Sequence, residues 1–317
     1  MTKTEKKRKT YKNKKKSTRK KHSSLSKITK TVKSLLKNII LTGMLPISWI
    51  LKKLWPLIWR FFILSILLSG GFAAFIFFSL PDYEKLVDGR SRGSVTLLDS
   101  SGNTFAWRGD QLGNIIKSTS ISPLLKYAVI ATEDKRFYKH FGVSPRGILG
   151  AMRTNLRAGR GPLQGHGGST ITQQTAKLLC LGKEFDPKKW KNERLYEADC
   201  RKSTKVRKIK EAIFAIILEF RYSKNEILSI YLNRAYLGAG ARGFEAASNR
   251  YFNISSDKLN ISQAAMLAGL LKAPSVYAPT NNLKKAQSRA NLIIHLMHDQ
   301  KYITDIEKEV SLRNPAT

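Results

Sequence analysis

The chain has 317 residues, 42% of them hydrophobic, and carries a formal charge of +35. That length leaves room for one large domain or two small ones around a sizeable core. Its two cysteines have no nearby pair of histidines, so there is no case for a zinc site.

About half of the excess charge lies in residues 1–60, which hold 19 Lys or Arg against one acid, Glu5. Runs such as Lys6-Lys7-Arg8-Lys9, with almost no large apolar residue before Leu25, cannot build a core, and disorder is expected there. Clustered lysines suit a nucleic-acid arm, but the next segment argues against that role. Residues 61–80, FFILSILLSGGFAAFIFFSL, are uncharged, end at Pro81-Asp82 and are long enough to cross a bilayer as one helix. They lie too deep in the chain and run too long for a signal peptide, so an uncleaved anchor is expected, with Gly70-Gly71 as its weakest point. Trp55 and Trp59 precede it at the depth of an aromatic belt, and residues 39–51, interrupted by Pro46, read as an interfacial segment. The basic flank belongs on the cytoplasmic side, which puts everything after Pro81 outside. The tail then meets anionic lipid, and no nucleic-acid partner is expected.

Residues 94–105 contain Val95, Leu97 and Leu98, a Ser-Gly turn signal and Phe105, the pattern of a small β-hairpin. Helix signals dominate from Ser122-Pro123 onward. Leu124, Leu125, Ala128, Val129 and Thr132 share one side of a helix, with Glu133 at the stripe's margin. If that helix persists, Phe137 and His140 follow Glu133 at i+4 and i+7, stacking a carboxylate, an aromatic and an imidazole in one column. That is a candidate acid/base site, although a lone glutamate at a helix end is usually solvated. Ser144-Pro145 opens another helix, with Ile148, Leu149, Met152 and Leu156 on its expected inner side.

A glycine-rich stretch over residues 159–168 ends in Ser169-Thr170-Ile171-Thr172-Gln173-Gln174. Thr170 and Gln173 fit a capping box, which puts helix N-terminal amides just after the glycines and Lys177 one turn beyond. The spacing is not that of a nucleotide P-loop. Cys180 and Cys200 flank a charged stretch; outside the cell a disulfide between them is permitted, and two free buried thiols are the alternative. In residues 206–220 the apolar set Val206, Ile209, Ile213, Ile216, Ile217 and Phe220 reads as a buried stripe, with Arg207, Lys208 and Glu211 opposite. Ser223 and Glu226 form a second capping box before a helix through Tyr231 that Asn233 is placed to end. Ser262 reads as the cap of an apolar helix through Leu270, and a last helix begins at Asn282.

In this order the stretches resemble the peptidoglycan glycosyltransferases of family 51, the glycan-polymerising domain of bifunctional penicillin-binding proteins and of monofunctional transglycosylases. Glu133-Asp134 with Phe137, His140 and Gly142 is similar to the family's first motif, and residues 167–174 with Lys177 to its second. Arg207-Lys208 with Glu211 looks like the third, Lys224 through Asn233 with Gly238 and Gly243 like the fourth, and Arg289 with Ile293-Ile294 like a looser fifth. The resemblance implies a mainly α, lysozyme-like domain behind a single N-terminal transmembrane helix, with a small β-hairpin and an apolar lobe in the outer leaflet. It divides the chain into a basic cytoplasmic tail and interfacial segment (1–57), an anchor (58–81), a linker with the hairpin (82–120), the glycosyltransferase domain (121–305) and a C-terminal tail (306–317).

The implied reaction polymerises lipid II into β-1,4 glycan with inversion, releasing undecaprenyl pyrophosphate at the outer face of a bacterial cytoplasmic membrane. By the same likeness Glu133 is the catalytic base, and Glu211 positions the donor or a cation. Lys177, Arg207 and Lys208 would receive the pyrophosphate charge. Asp134, Phe137, His140, Ser169, Thr170, Gln173, Gln174 and Asn233 would line the sugar and phosphate sites. A divalent cation, Mg or Mn, and a partner transpeptidase are further implied. Leu178 stands where the family often has Asn, and the insert carrying Cys180 and Cys200 is longer than in compact members. Outside the basic tail neither S-D-N nor K-T-G occurs to complete a set with an S-x-x-K, so no transpeptidase activity is expected. The rival readings are a lysozyme-like muramidase or lytic enzyme and an inactive membrane scaffold of cell-wall synthesis.

Overall fold

The computed structural model describes residues 33–34, 52–87, 95–101, 104–108 and 111–317, the last stretch without 163, 166, 184 and 203. The expected basic tail lies largely outside the described residues, as does the interfacial segment 39–51. The chain divides into two units, Met1–Phe72 and Ala73–Thr317, and the boundary falls inside α1 (Lys52–Ser79). In the first unit α1 continues unbroken through Gly70 and Gly71, because both are helical despite lacking a side chain to pack. Its large apolar side chains, Phe61, Phe62, Leu67 and Leu68 among them, are exposed, and Trp59 stacks between Trp55 and Phe62. With a mean hydropathy of 2.4 it is, among the described residues, the one helix long and apolar enough to cross a membrane.

The second unit runs α2 (Tyr83–Val87), β1 (Val95–Leu98), β2 (Thr104–Arg108), β3 (Gln111–Leu112) and α3 (Pro123–Glu133). Then come α4 (Pro145–Arg157), α5 (Ile171–Leu178), α6 (Glu193–Arg201), α7 (Lys205–Arg221) and α8 (Lys224–Arg234). After β4 (Ala241–Arg242) follow α9 (Phe244–Phe252), α10 (Ile261–Leu270), α11 (Pro274–Tyr277), α12 (Leu283–Asp299) and α13 (Asp305–Arg313). The architecture is mainly α. The expected hairpin forms, β1 pairing antiparallel with β2, and Asp99 Oδ1 accepts the Ser101 N–H at 2.9 Å within its turn. A second, parallel pair joins β3 to β4.

The core centres on α10, which is buried on almost every side and packs against α3 and α12. Its cap is Asn260, in a capping box with Gln263; Ser262, which the sequence suggested, instead donates its hydroxyl to the Ser311 and Asn314 carbonyls. Part of the stretch read as a C-terminal tail is α13, capped by Thr304 and packed against α10 and α12.

Two faces differ from the sequence expectation. On α7 the buried residues are Glu211, Phe214, Ala215, Ile217 and Leu218, whereas Val206, Ile209, Ile213, Ile216 and Phe220 are exposed. On α4 the one buried residue is Asn155, whose amide donates to the Pro162 carbonyl at 3.1 Å, while Leu149 and Leu156 face outward. Periodicity locates an apolar stripe but does not say whether protein or lipid covers it. Phe141 joins the exposed set, its ring edge-on to Phe220 at 4.6 Å. The loop reaches α7 there through Gly142, at φ +73°, where a Cβ would sit 2.7 Å from the Ala215 carbonyl oxygen.

Candidate active site

Glu133 is the last residue of α3, and one of its oxygens is held by α5: Gln174 Nε2 donates to Oε2 at 2.8 Å. The buried Tyr231 hydroxyl of α8 donates in turn to Gln174 Oε1 at 3.0 Å. Three helices therefore meet at one carboxylate. Burial pushes the Glu133 carboxyl above the ordinary range; the Gln174 hydrogen bond and the Arg289 charge oppose that rise, and the neighbouring Asp134 adds to it. Burial also drives the Tyr231 phenol well up, with Glu133 as the second cause, so this phenol stays a donor. A carboxylate kept half out of water, with one amide donor and a tuned affinity for protons, suits a general base.

The expected helical column of Glu133, Phe137 and His140 does not form. The chain leaves the helix at Asp134, with φ −161° and ψ 76°, and residues Phe137–Lys139 make a separate 3-10 turn. Phe137 is fully buried in the core, beneath the Lys224 ammonium at 4.6 Å. His140 Nε2 pairs with Asp134 Oδ2 at 2.8 Å, and the same oxygen accepts the Ile171 N–H at 3.1 Å. Asp134 thus ties the end of α3 to the start of α5 and satisfies one of that helix's orphan amides. Asp134, His140 and Phe137 instead bind across to α5 and α8, a long-range arrangement that spacing along one helix does not encode.

The capping box that opens α5 is present. Thr170 Oγ1 accepts the Gln173 N–H at 3.1 Å, and Gln173 Oε1 accepts the Thr170 N–H at 3.0 Å. The Thr170 hydroxyl also donates to the Gly142 carbonyl. Both side chains are buried and engaged in bonds that build the helix end. Ser169 stands apart, accepting from Lys208 Nζ at 2.9 Å.

Three expected cations gather around α5 and α7. Glu211, only 1% exposed, pairs through Oε1 with Arg207 and through Oε2 with Lys208 at 2.9 Å. Burial lowers the Lys177 pKa, with the Arg207 and Arg201 charges adding to the effect; burial likewise lowers that of Lys208, followed by Arg207 and Lys177. Two partly buried lysines that also feel neighbouring positive charges mark a crowded positive cluster, which an incoming anion relieves. Both Glu211 oxygens are engaged by cations, and among the described residues no group of three or more His, Cys, Asp or Glu is placed to hold a metal. The donor set does not fit a divalent ion held by the protein.

The Asn233 side chain is engaged with backbone groups of two segments. Its amide donates to the Ile116 and Ser229 carbonyls at 2.9 and 2.8 Å, and its Oδ1 accepts the Ile116 N–H at 3.0 Å. It fastens the segment after β3 to α8. Sequence reasoning passed over three contributors: Tyr231, Arg289 and the chain in which Glu219 Oε1 accepts from Thr172 Oγ1 at 2.6 Å and Lys224 Nζ at 2.7 Å. Tyr231 and Arg289 lie inside quoted motifs, but the Tyr231 bond to Gln174 and the Arg289 charge acting on Glu133 depend on packing between helices. Cys180 and Cys200 are joined as a disulfide, with 5.2 Å between Cα atoms.

A family model described as Transglycosylase matches residues 101–298, most of the second unit and every residue of this site. The chain belongs to the transglycosylase family. Relatives of this transglycosylase chain include penicillin-binding protein 1A of Aquifex aeolicus (strain VF5), 36% identical over 252 residues, or 78% of this chain and 32% of that protein. Penicillin-binding protein 1A of Escherichia coli (strain K12) is 37% identical over 71% of this chain and 24% of its own length. Penicillin-binding protein 1B of Haemophilus influenzae (strain ATCC 51907 / DSM 11121 / KW20 / Rd) is 40% identical over 57% and 21% respectively. The transglycosylase chain thus spans about a fifth to a third of the length of these relatives. A crystal structure of penicillin-binding protein 1A from Haemophilus influenzae aligns with TM-score 0.41 and 22% identity over 71% of this chain and 21% of that one, too loosely to bear on the fold.

Proposed function

We propose that this chain is a peptidoglycan glycosyltransferase that polymerises lipid II into β-1,4 glycan with inversion, releasing undecaprenyl pyrophosphate. The observation that carries the reading is the division of labour along α5. Gln174 presents a proton-affine carboxylate, Glu133, while Lys177, one turn later, belongs to a cation cluster with Arg207 and Lys208. Glycosyl transfer from a lipid pyrophosphate needs both halves. A base removes the proton of the acceptor 4-hydroxyl as its oxygen attacks the anomeric carbon, and fixed cations receive the charge that develops on the leaving pyrophosphate. Glu133 takes the first role. Lys177, Arg207 and Lys208 take the second, with Ser169 holding Lys208 and Glu211 setting the spacing of Arg207 and Lys208. Gln174 orients Glu133.

The exposed apolar residues of α4 and α7, together with α1, support a catalytic unit that works against the lipid in which its substrate is dissolved. The N-terminal tail is then cytoplasmic and the second unit extracytoplasmic, where a transpeptidase would crosslink the product. A muramidase would use the same kind of carboxylate but has no need of the cation cluster. The test is labelled lipid II supplied to the purified full chain. Glycan polymer is expected; cleavage of preformed glycan without polymer would sink the proposal.

A further inference from the structure

The insert between α5 and α7 has no task in the proposed reaction, yet its ends are the two elements that carry the cations. Lys177 sits in the last turn of α5, just before Cys180, and Arg207 and Lys208 sit in the first turn of α7, shortly after Cys200. The disulfide spans a sequence separation of 20 and brings the two ends to 5.2 Å between Cα atoms. The loop it closes is a small packed body. Phe185 and Trp190 stand edge-on to Tyr196 at 5.8 and 5.1 Å, and the Tyr196 hydroxyl donates to the Lys183 carbonyl.

Two further ties hold that body to the frame. Arg242 of β4 bonds Glu197 of α6 at 3.2 Å, and Arg207 Nε donates to the Lys202 carbonyl at 2.6 Å. The guanidinium that pairs with buried Glu211 is therefore fastened also to the end of the insert. Arg201 follows Cys200 directly, so the disulfide delivers it to the Lys177 end of α5, where its charge is among those acting on Lys177. Arg201 is held by Glu197 at 3.0 Å and remains open to solvent.

Four like charges gathered on separate elements repel one another, and an anion site built from them depends on something that keeps them together before the anion arrives. We propose that the Cys180–Cys200 disulfide is a positioning cross-link of the anion site: it fixes Lys177 relative to Arg207 and Lys208 and adds Arg201 as a further cation for an isoprenyl pyrophosphate. The inference rests on the proposed reaction only for the identity of that anion. It makes pyrophosphate binding dependent on the oxidised state of the insert.

The probe is farnesyl pyrophosphate, titrated calorimetrically into the full chain in detergent. Three states are compared: oxidised, reduced by dithiothreitol, and Cys180→Ala/Cys200→Ala. Dithiothreitol supplies two electrons and two protons, leaving two protein thiols and its own cyclic disulfide. Loss of the cross-link is expected to weaken binding about tenfold in both disulfide-free states. Arg201→Gln is expected to weaken it about fivefold in the oxidised protein and to add nothing in the Cys180→Ala/Cys200→Ala background. Equal affinity in all three states while the far-UV dichroism stays native, with only the melting temperature lowered, would mark the disulfide as a structural staple and overturn the proposal. So would an Arg201→Gln protein that binds like the parent. An oxidised chain that binds the probe in this redox-dependent way, yet makes no glycan from lipid II, would leave the cross-link's role standing and remove the proposed reaction instead.

Discussion

The Tyr231 hydroxyl donates to Gln174 Oε1 at 3.0 Å, and that one bond decides which end of the amide faces Glu133. With Oε1 taken, Nε2 is left to meet the carboxylate. In Tyr231→Phe the amide is free to turn, and a carbonyl facing Glu133 would raise the carboxyl's proton affinity further. The expected outcome is a kcat about tenfold lower, with the acidic limb of the pH–rate profile moved upward. A purely structural tyrosine would lower the melting temperature and leave the limb in place.

Glu133→Gln removes the proposed base, and polymerisation should fall by about two to four orders of magnitude. The same change should stabilise the fold at neutral pH. Because the folded-state pKa of Glu133 is raised, its favourable contribution is complete below the unfolded value and disappears as pH climbs through the folded one. The melting-temperature advantage of the Gln variant should therefore be small in acid and grow toward pH 7. A variant that is inactive and less stable at every pH would contradict this account of the site.

Glu211→Ala leaves Arg207 beside a vacated, buried position and releases Lys208. Breaking a buried pair from one side costs about 3 kcal/mol, so urea unfolding should show a clear loss of stability. Where the protein remains folded, KM for lipid II should rise more than kcat falls, since the cations survive but lose their spacing. A selective loss of kcat at unchanged KM would instead assign Glu211 to the chemical step.

Asn233→Ala separates the structural role seen here from the substrate-lining role that the family resemblance implied. The variant leaves the Ile116 N–H without its acceptor, at a cost of about 2 kcal/mol. Chemical denaturation should report that cost, and kcat/KM of the folded fraction should stay within about twofold of the parent. A large drop in kcat/KM at unchanged stability would return Asn233 to the binding site.

What was legible in the chain follows the range of the interactions concerned. The long apolar helix, the hairpin and the capping boxes at Thr170 and Ser223 are local patterns, and all of them are found. The cysteine pairing is found as well, although composition alone left it open. The break after Glu133 was hidden because no Pro or Gly stands between Glu133 and His140. What ends α3 there is accompanied by Asp134 binding across to His140 and to the amide of Ile171. The outward faces of α4 and α7 were misassigned for a different reason: an apolar stripe looks the same whether it is destined for a protein core or for lipid. Asn233 had the residue type of a sugar ligand, but its neighbours come from a segment more than a hundred positions away in sequence.

The reversed face of α7 has a practical corollary. Cutting the chain after α1 would not turn it into a well-behaved aqueous protein, because Phe141, Ile209, Ile213 and Phe220 would still meet water together. Preparations lacking the anchor should cling to micelles, columns and one another, and detergent would remain part of the working solvent of the catalytic unit itself.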